Sequence, residues 1–282
     1  MFDQDLNARF RELVFEGDLD GVREHLDQGA EVNGRNIGWH TALMDAAMNG
    51  NQPMLALLLE RGAEIDGVDG EYGTTALHKA LPDHLEAARF LLEQGADPLV
   101  GQETPVKDAL DNERSDVLQL LIDGGLDPND DRAFNRPLLM QAASIGSIPI
   151  TELLLRAGAD PDREDSSGYS PLREAAMCRE ADVVRLLADH GASADLELAA
   201  FAGLVDRVRE LLDGGVDPDY IGVLGETALQ SALMMRHLKV LRLLVERGAD
   251  VNAGEGPSLL EKYKADRHPE IHDILSSATN TD

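Results

Sequence analysis

The stretch Thr41-Ala42-Leu43-Met44-Asp45-Ala46-Ala47 and the glycine that closes the unit after it, Gly62, decide the fold. A threonine before small and apolar residues is typical of a helix N-terminus. A glycine after an apolar run such as Leu57-Leu58-Leu59 is typical of the left-handed residue that ends a helix. Together these signals predict one helix, a tight turn and a second helix.

The same signals return along the whole chain. The helix-ending glycine recurs at Gly29, Gly62, Gly95, Gly125, Gly158, Gly191, Gly215 and Gly248, and the successive differences between these numbers are 33, 33, 30, 33, 33, 24 and 33. Stretches related to the first one begin at Thr75, Thr104, Pro137, Ser170 and Thr227. A chain of 282 residues holds between eight and nine units of 33, which predicts a stacked array and argues against one compact enzyme core.

The repeat resembles the ankyrin repeat in its length and in its Thr-Pro-Leu-His signature. The best local matches are Thr75-Ala76-Leu77-His78, Thr104-Pro105-Val106, Ser170-Pro171-Leu172, Gly95-Ala96-Asp97-Pro98 and Gly248-Ala249-Asp250-Val251-Asn252. The resemblance covers almost the whole chain. It implies an all-α fold, an ankyrin-type solenoid of stacked helix-turn-helix units with β-hairpin loops, and it implies binding without naming a partner.

Departures from the repeat set the expected boundaries within a single solenoid over residues 1–282. Residues 5–33 hold a helix pair without a preceding loop, so we expect an N-terminal cap there and repeats over 34–253. We expect a C-terminal cap over 254–276 and a tail over 277–282. In the unit at 194–215, Gly215 follows Gly191 too closely for a full repeat, so this unit should lack its projecting hairpin.

The charge of the chain restricts its partners. It carries 25 basic and 53 acidic residues, which give a formal net charge of −28. Such a chain repels the phosphates of nucleic acids and anionic membranes, and it attracts basic surfaces. We therefore expect a basic protein partner, no nucleic acid and no membrane.

The sequence also predicts a cytoplasmic location. No apolar stretch approaches the roughly 20 residues that a membrane helix needs. Residues 1–5 lack the basic and apolar regions of a signal peptide. Because Cys178 is the single cysteine, an intramolecular disulfide is excluded.

No motif in the chain indicates catalysis, and we expect no enzyme activity, cofactor or metal. His268 and His272 have helical spacing but no evident third ligand. The strings that start at Asp127 and Asp160 begin like calcium loops, yet neither carries the glutamate needed at position twelve. Phosphate-binding glycine loops, nucleophile elbows and zinc-hydrolase motifs do not occur in the sequence.

The first candidate binding surface is the row of loop tips. Twelve acids lie there against four arginines, and aromatic residues stand among them. Aromatic side chains inside a charged rim are typical of binding hot spots. Two alternatives stay open: loops of an acidic protein are polar in any case, and the aromatics would also serve to pack one hairpin on the next. On this surface we expect partner contacts from Trp39, Glu71, Tyr72, Asp130, Asp131, Phe134, Glu164, Asp165, Tyr169 and Tyr220.

The second candidate surface is the groove lined by the first helix of each repeat. The resemblance implies that residues seven and eight after the signature threonine point into it. These positions hold Met48, Ile145, Met177, Phe201 and Met234. Exposed methionines suit a surface that adapts to a partner, although neighbouring repeats would shield some of them. We expect the anchor of binding to comprise Phe134, Ile145, Tyr169, Met177 and Phe201.

These observations predict a non-enzymatic protein-binding module, monomeric on its own, that recognises a basic protein. The chain resembles stand-alone bacterial ankyrin-repeat proteins, some of which are immunity proteins or toxin inhibitors, so a toxin-neutralising role is the specific hypothesis. A general scaffold or regulatory adaptor is one alternative. An acidic mimic of nucleic acid is the other.

Overall fold

A computed structural model describes residues 2–70, 72–252, 259–264 and 267–278. Over these ranges the chain forms eighteen α-helices and no β-strand. The helices are α1 (Phe2–Glu16), α2 (Leu19–Asp27), α3 (Ala42–Met48), α4 (Gln52–Glu60), α5 (Ala76–Ala80), α6 (Leu85–Glu93), α7 (Pro105–Asp111), α8 (Ser115–Asp123), α9 (Leu138–Ile145), α10 (Ile148–Arg156), α11 (Pro171–Met177), α12 (Ala181–Asp189), α13 (Leu196–Phe201), α14 (Val205–Asp213), α15 (Ala228–Met234), α16 (Leu238–Glu246), α17 (Leu259–Lys262) and α18 (Pro269–Ala278).

Both local signals of the repeat act as expected. Thr41, Thr75, Thr104 and Thr227 each accept, through the side chain, the backbone N–H three residues on, and so cap the helix that follows. The eight helix-ending glycines all have φ between 86° and 105°, a left-handed conformation that a side chain would strain. The predicted helix pairs are confirmed, and with them the all-α fold.

The chain divides into two compact units. In Met1–Asn135, α3 packs on α5, and α2, α4, α6 and α8 pack in succession. In Arg136–Asp282, the first helices of the pairs pack as α9, α11, α13 and α15, while α10 packs on α12 and α14 on α16. Each unit therefore has its own core, built mainly of Leu, Ala and Val side chains.

The loops differ from the expected β-hairpins. In the described part of the chain, the extended pairing is limited to one isolated antiparallel bridge between Ile221 and Thr227. Hydrogen bonds from side chains to the backbone hold these loops instead.

The connection into α13 is short. Residues 190–195 join α12 to α13, whereas residues 157–170 join α10 to α11. Residues 254–258 and 265–266 of the expected C-terminal cap and 279–282 of the expected tail lie outside the described residues. Among the helices that are described, none is both long and apolar enough to cross a membrane.

Candidate protein-binding site

Three loops are each held in shape by the side chain of one residue of that loop. The backbone N–H of Asp69 donates to the carbonyl of Thr74 at 2.9 Å, and its Oδ1 accepts the N–H groups of Tyr72 at 2.9 Å and Thr74 at 3.2 Å. Asp165 does the same with Tyr169, donating at 2.9 Å and accepting at 3.0 Å. Such local bonds from Asp to the backbone are typical of tight turns.

Asn36 has the same role in the first loop. Its N–H donates to the carbonyl of His40 at 3.1 Å, and its Oδ1 accepts the N–H of His40 at 2.9 Å. Asn36 follows Gly29 at the same distance in sequence as Asp69 follows Gly62, so the loop anchor is part of the repeat.

The loop before α15 is built differently, because Gly222 stands at the anchor position. The backbone bond remains, from the N–H of Gly222 to the carbonyl of Glu226 at 3.2 Å. The carboxylate comes instead from Glu197 on α13. Its Oε1 accepts the N–H of Glu226 and its Oε2 the N–H of Leu224, both at 2.7 Å. A side chain at position 222 would collide with Glu197, so the glycine and the glutamate depend on each other.

Glu197 is fully buried, and burial raises the pKa of its carboxyl group. It lies in the repeat whose preceding connection is short. The carboxylate thus accepts backbone N–H groups as Asp69 and Asp165 do in their own loops, and it ties the loop at 219–226 to α13.

A second set of polar side chains joins consecutive repeats. The residue four after the helix-ending glycine accepts the N–H of the residue two after the next such glycine. The pairs, from acceptor to donor, are Asn33 with Glu64 at 2.8 Å, Asp66 with Asp97 at 3.0 Å, Asp162 with Ser193 at 2.8 Å and Asp219 with Asp250 at 2.8 Å. We call these pairs the turn ladder. Loop acids in the ladder hold the structure together.

The acidic row of loop tips is therefore smaller than the sequence predicted. Asp165 is half-buried in its own turn, and Asp130 pairs with Arg132 at 2.9 Å. Asp131 and Glu164 are exposed. Glu71 lies outside the described residues. Of the predicted acids that are described, Asp131 and Glu164 are the exposed ones.

Asp69 shows how strongly a loop acid is held. Its carboxylate is buried, 3.0 Å from the ammonium group of Lys79. Burial alone would raise the pKa of Asp69. The hydrogen bonds from Thr74, Tyr72 and Lys79 together outweigh burial and lower it.

The predicted aromatic residues fall into two groups. Trp39, Tyr72 and Tyr220 are 58%, 56% and 45% exposed. Phe134 and Tyr169 are half-buried, and the guanidinium of Arg173 lies 4.1 Å from the centre of the Tyr169 ring. The exposed group is available for contact, while Tyr169 also packs within its own repeat.

Trp39 lies against the next loop of the same unit. A Cβ atom on Gly70 would come within 2.9 Å of the indole ring, so the ring rests on the glycine backbone. Arg35 fixes the loop from the other side by donating to the carbonyls of Trp39, at 3.1 Å, and Val68. One face of the indole is thus supported and the other faces solvent.

The groove positions are exposed except in α13. Met48, Ile145 and Met177 have exposed side chains, and Met234 is half-buried. The expectation for Phe201 is wrong, because its side chain is fully buried. All six residues of α13 are buried, and α13 packs on α11, α14 and α15. Phe201 consequently belongs to the core of the C-terminal unit.

Sequence reasoning missed three exposed apolar side chains on the loops. Ile37 is completely exposed, Ile221 is 61% exposed and Val223 is 38% exposed. Each is an aliphatic residue in a segment rich in glycine and polar residues, which was the available signal. Trp39 and Tyr72 are exposed in the same unit as Ile37, and Tyr220 is exposed in the same loop as Ile221 and Val223.

The residues that the structure describes contain no group of three or more His, Cys, Asp or Glu side chains arranged for a metal ion. Cys178 is exposed, and partial burial of its thiol raises the pKa, which favours the unreactive protonated form.

A family model described as "Ankyrin repeats (3 copies)" matches residues 11–101, 106–197 and 196–255. Cyclin-dependent kinase 4 inhibitor B of Bos taurus is 41% identical over 66 residues, which are 23% of this chain and 50% of that protein. The Homo sapiens protein of the same name is 39% identical over 64 residues, 23% of this chain and 46% of its own length. An ankyrin repeat-containing protein of Schizosaccharomyces pombe is 29% identical over 79 residues, 28% of this chain and 38% of that protein. The chain thus spans half or less of the length of these relatives.

Proposed function

Because this chain belongs to the ankyrin repeat family, a protein–protein interaction module, we propose that it binds a basic protein and inhibits it. The exposed aromatic side chains of the loops carry the proposal. Trp39, Tyr72 and Tyr220 are three of only five Tyr and Trp residues in the chain, and each is about half exposed. Large aromatic side chains in solvent are a cost unless a partner covers them.

The net charge supports a basic partner. The formal net charge of the chain is −28, and exposed acids such as Asp131 and Glu164 lie in the loops, so we expect a negative field there. Such a field accelerates encounter with a positive surface and discourages association with an acidic one. A basic enzyme, such as a nuclease toxin, has the charge that this protein would attract.

The names of two relatives support inhibition. The Bos taurus and Homo sapiens proteins are both cyclin-dependent kinase 4 inhibitors by name. A segment similar to part of this chain therefore occurs in proteins named as inhibitors. We extend inhibition to this chain, and a kinase partner is not part of the proposal.

Affinity capture from the native host tests the proposal. We expect one stoichiometric partner of basic isoelectric point, whose activity falls when the complex forms. The double variant W39A/Y72A should lose most of the captured partner. The matched control is F15A, because Phe15 is also a large exposed side chain, at 73%, but belongs to α1 and not to a loop.

Other outcomes would redirect the proposal. Several partners in unequal amounts, with no loss of any activity, would favour a scaffold. A captured nucleic-acid-binding protein that is released by DNA would favour an acidic mimic. Equal capture by W39A/Y72A and by the parent chain would show that the loop aromatics are not the binding surface.

A further inference from the structure

A small cavity opens on the C-terminal unit, between the groove and the loop that Glu197 holds. Its volume is about 280 Å³. We call it the socket, and its principal lining residues are Arg173, Met177, Arg179, Val223, Glu226 and Met234. Sites for whole small-molecule ligands usually exceed about 300 Å³. The socket has instead the size of one large side chain.

Apolar side chains form part of the socket wall, beside a larger polar surface. Met177 is 51% exposed and Val223 is 38% exposed, so both present apolar surface at the opening. Met234 is half-buried, and the buried Phe201 contributes to the floor. Methionine side chains adapt to the shape of what they contact. An apolar side chain that entered here would remove all of this surface from water.

The charge at the socket is opposite to that of the protein. Arg173 and Arg179 both line it, against the single carboxylate of Glu226. Throughout the described ranges, neither guanidinium lies within ion-pair distance of a carboxylate, although acids outnumber bases by 53 to 25 in the chain. The contact of Arg173 with the Tyr169 ring leaves its Nε buried without a hydrogen-bond partner. Two arginines against one glutamate, beside exposed apolar side chains, fit a carboxylate attached to an apolar group.

The structure holds the socket in shape before a partner arrives. Val223 is carried by the loop whose N–H groups at Leu224 and Glu226 bond to Glu197, both at 2.7 Å. Met177 and Arg173 are carried by α11, which packs on α13. Both sides of the socket are therefore fixed to the same buried helix, which lowers the cost of ordering it on binding.

We propose that the socket receives one apolar side chain of the protein partner together with a carboxylate next to it. This inference rests on the proposed function and adds a specificity element to it. A broad negative field selects basic partners but does not fix their orientation. One site that prefers an acid fixes the orientation of the partner, because a partner cation placed at the socket would meet two guanidinium groups.

The socket can be tested without the natural partner. The probes are N-acetyl-leucine and N-acetyl-leucinamide, which share the apolar side chain and differ only in the carboxylate. Titration into the full chain, labelled with ¹³C at the methionine methyl groups, reports binding through the signals of Met177 and Met234. We expect the acid to shift both signals and to bind about fivefold tighter than the amide, as one exposed charge contact allows.

Three variants test which side chains cause the preference for the acid over the amide. R173Q and R179Q should each reduce it to about twofold or less, as removal of one exposed charge contact implies. E226Q should increase it by removing the competing carboxylate. The control R209Q carries the same change of charge at an exposed residue of α14 that does not line the socket, and it should leave the preference unchanged.

Two results would overturn the inference: equal affinity for acid and amide, or no shift of either methionine signal at saturating probe. If R209Q and R179Q lose the preference for the acid equally, that preference comes from overall charge, and the inference is also rejected. These results are separate from affinity capture. If capture fails while the acid preference holds, the proposed function fails and the socket stands.

Discussion

Glu197 and Leu224 are far apart in the sequence, yet the carboxylate of the first accepts the backbone N–H of the second at 2.7 Å. The same carboxylate accepts the N–H of Glu226. In three earlier loops a local residue, Asn36, Asp69 or Asp165, accepts the backbone N–H groups of its own loop. Here the acceptor is a helix residue and not a loop residue, and it lies in the repeat that follows the short connection at residues 190–195.

Glu197→Leu should destabilise the C-terminal unit more than Glu197→Gln. Leucine leaves two backbone N–H groups without acceptors, and each such buried group costs about 1–3 kcal/mol. Glutamine keeps one acceptor oxygen but turns a donor toward the other N–H. Urea unfolding followed by circular dichroism measures both. Glu246→Gln, an exposed change on α16, is the control and should have little effect. Equal stability of the Leu variant and the parent would show that the loop does not depend on Glu197.

Asp69 should make the N-terminal unit sensitive to acid. Because its pKa is lower in the folded protein than in the unfolded chain, its contribution is fully present above the unfolded pKa of about 4 and is lost as the pH falls toward the folded value. Asp69→Asn keeps an acceptor for Tyr72 and Thr74 but removes the charge. We expect it to cost about 2 kcal/mol at pH 7 and less at pH 3. Urea unfolding at both pH values gives the difference, and a constant difference would contradict the prediction.

Neutralising Asp131 and Glu164 should slow association with the partner. Both are exposed, so they contribute to the field rather than to a desolvated contact. In D131N/E164Q the on-rate should fall by a few-fold and depend less on salt, with little change in the off-rate. Stopped-flow kinetics from low salt to about 0.5 M would measure this. The control is the double variant E86Q/E246Q, which removes the same charge from exposed positions on helices. An on-rate of the parent chain that does not change across this range of salt would contradict electrostatic steering.

Met177→Ala and Phe201→Ala should separate binding from stability. Met177 is half exposed, so its loss should weaken partner binding by about tenfold or more and move the melting temperature little. Phe201 is fully buried, and its truncation should cost about 3–5 kcal/mol of stability through the cavity it leaves. Calorimetric melting and titration with the captured partner give both quantities. A stability loss in M177A, with unchanged affinity, would place Met177 in the core instead.

The sequence predicted the parts of this molecule that depend on neighbours in the chain. A threonine cap or a left-handed glycine needs only a few residues around it, so Thr41 and Gly62 could be assigned from spacing alone. Phe201 is buried on α13, which packs on α11, α14 and α15, and two of these helices come later in the chain. Repeat position therefore predicted the wrong environment for it.

The loop acids illustrate a signal that was present but not used. Whether a carboxylate faces a partner or its own backbone depends on its place in the turn, and composition does not distinguish the two. Asn36 and Asp69 share a repeat position, which pointed to a structural role. Glu197 interrupts the apolar run from Leu196 to Phe201, and an acid in such a place needs a buried partner.

The turn ladder bears on how such a chain can lengthen. Each rung joins an acceptor in one repeat to a donor in the next, so a duplicated repeat brings one half of a rung to each new junction. Tandem duplication by recombination would then restore the ladder without compensating mutations. A copy of α13 and α14 alone would behave differently, because its Glu197 would be buried without the loop at 219–226 to bond. The ladder therefore favours growth of the array at the four junctions that carry a rung, and Glu197 opposes it at this one.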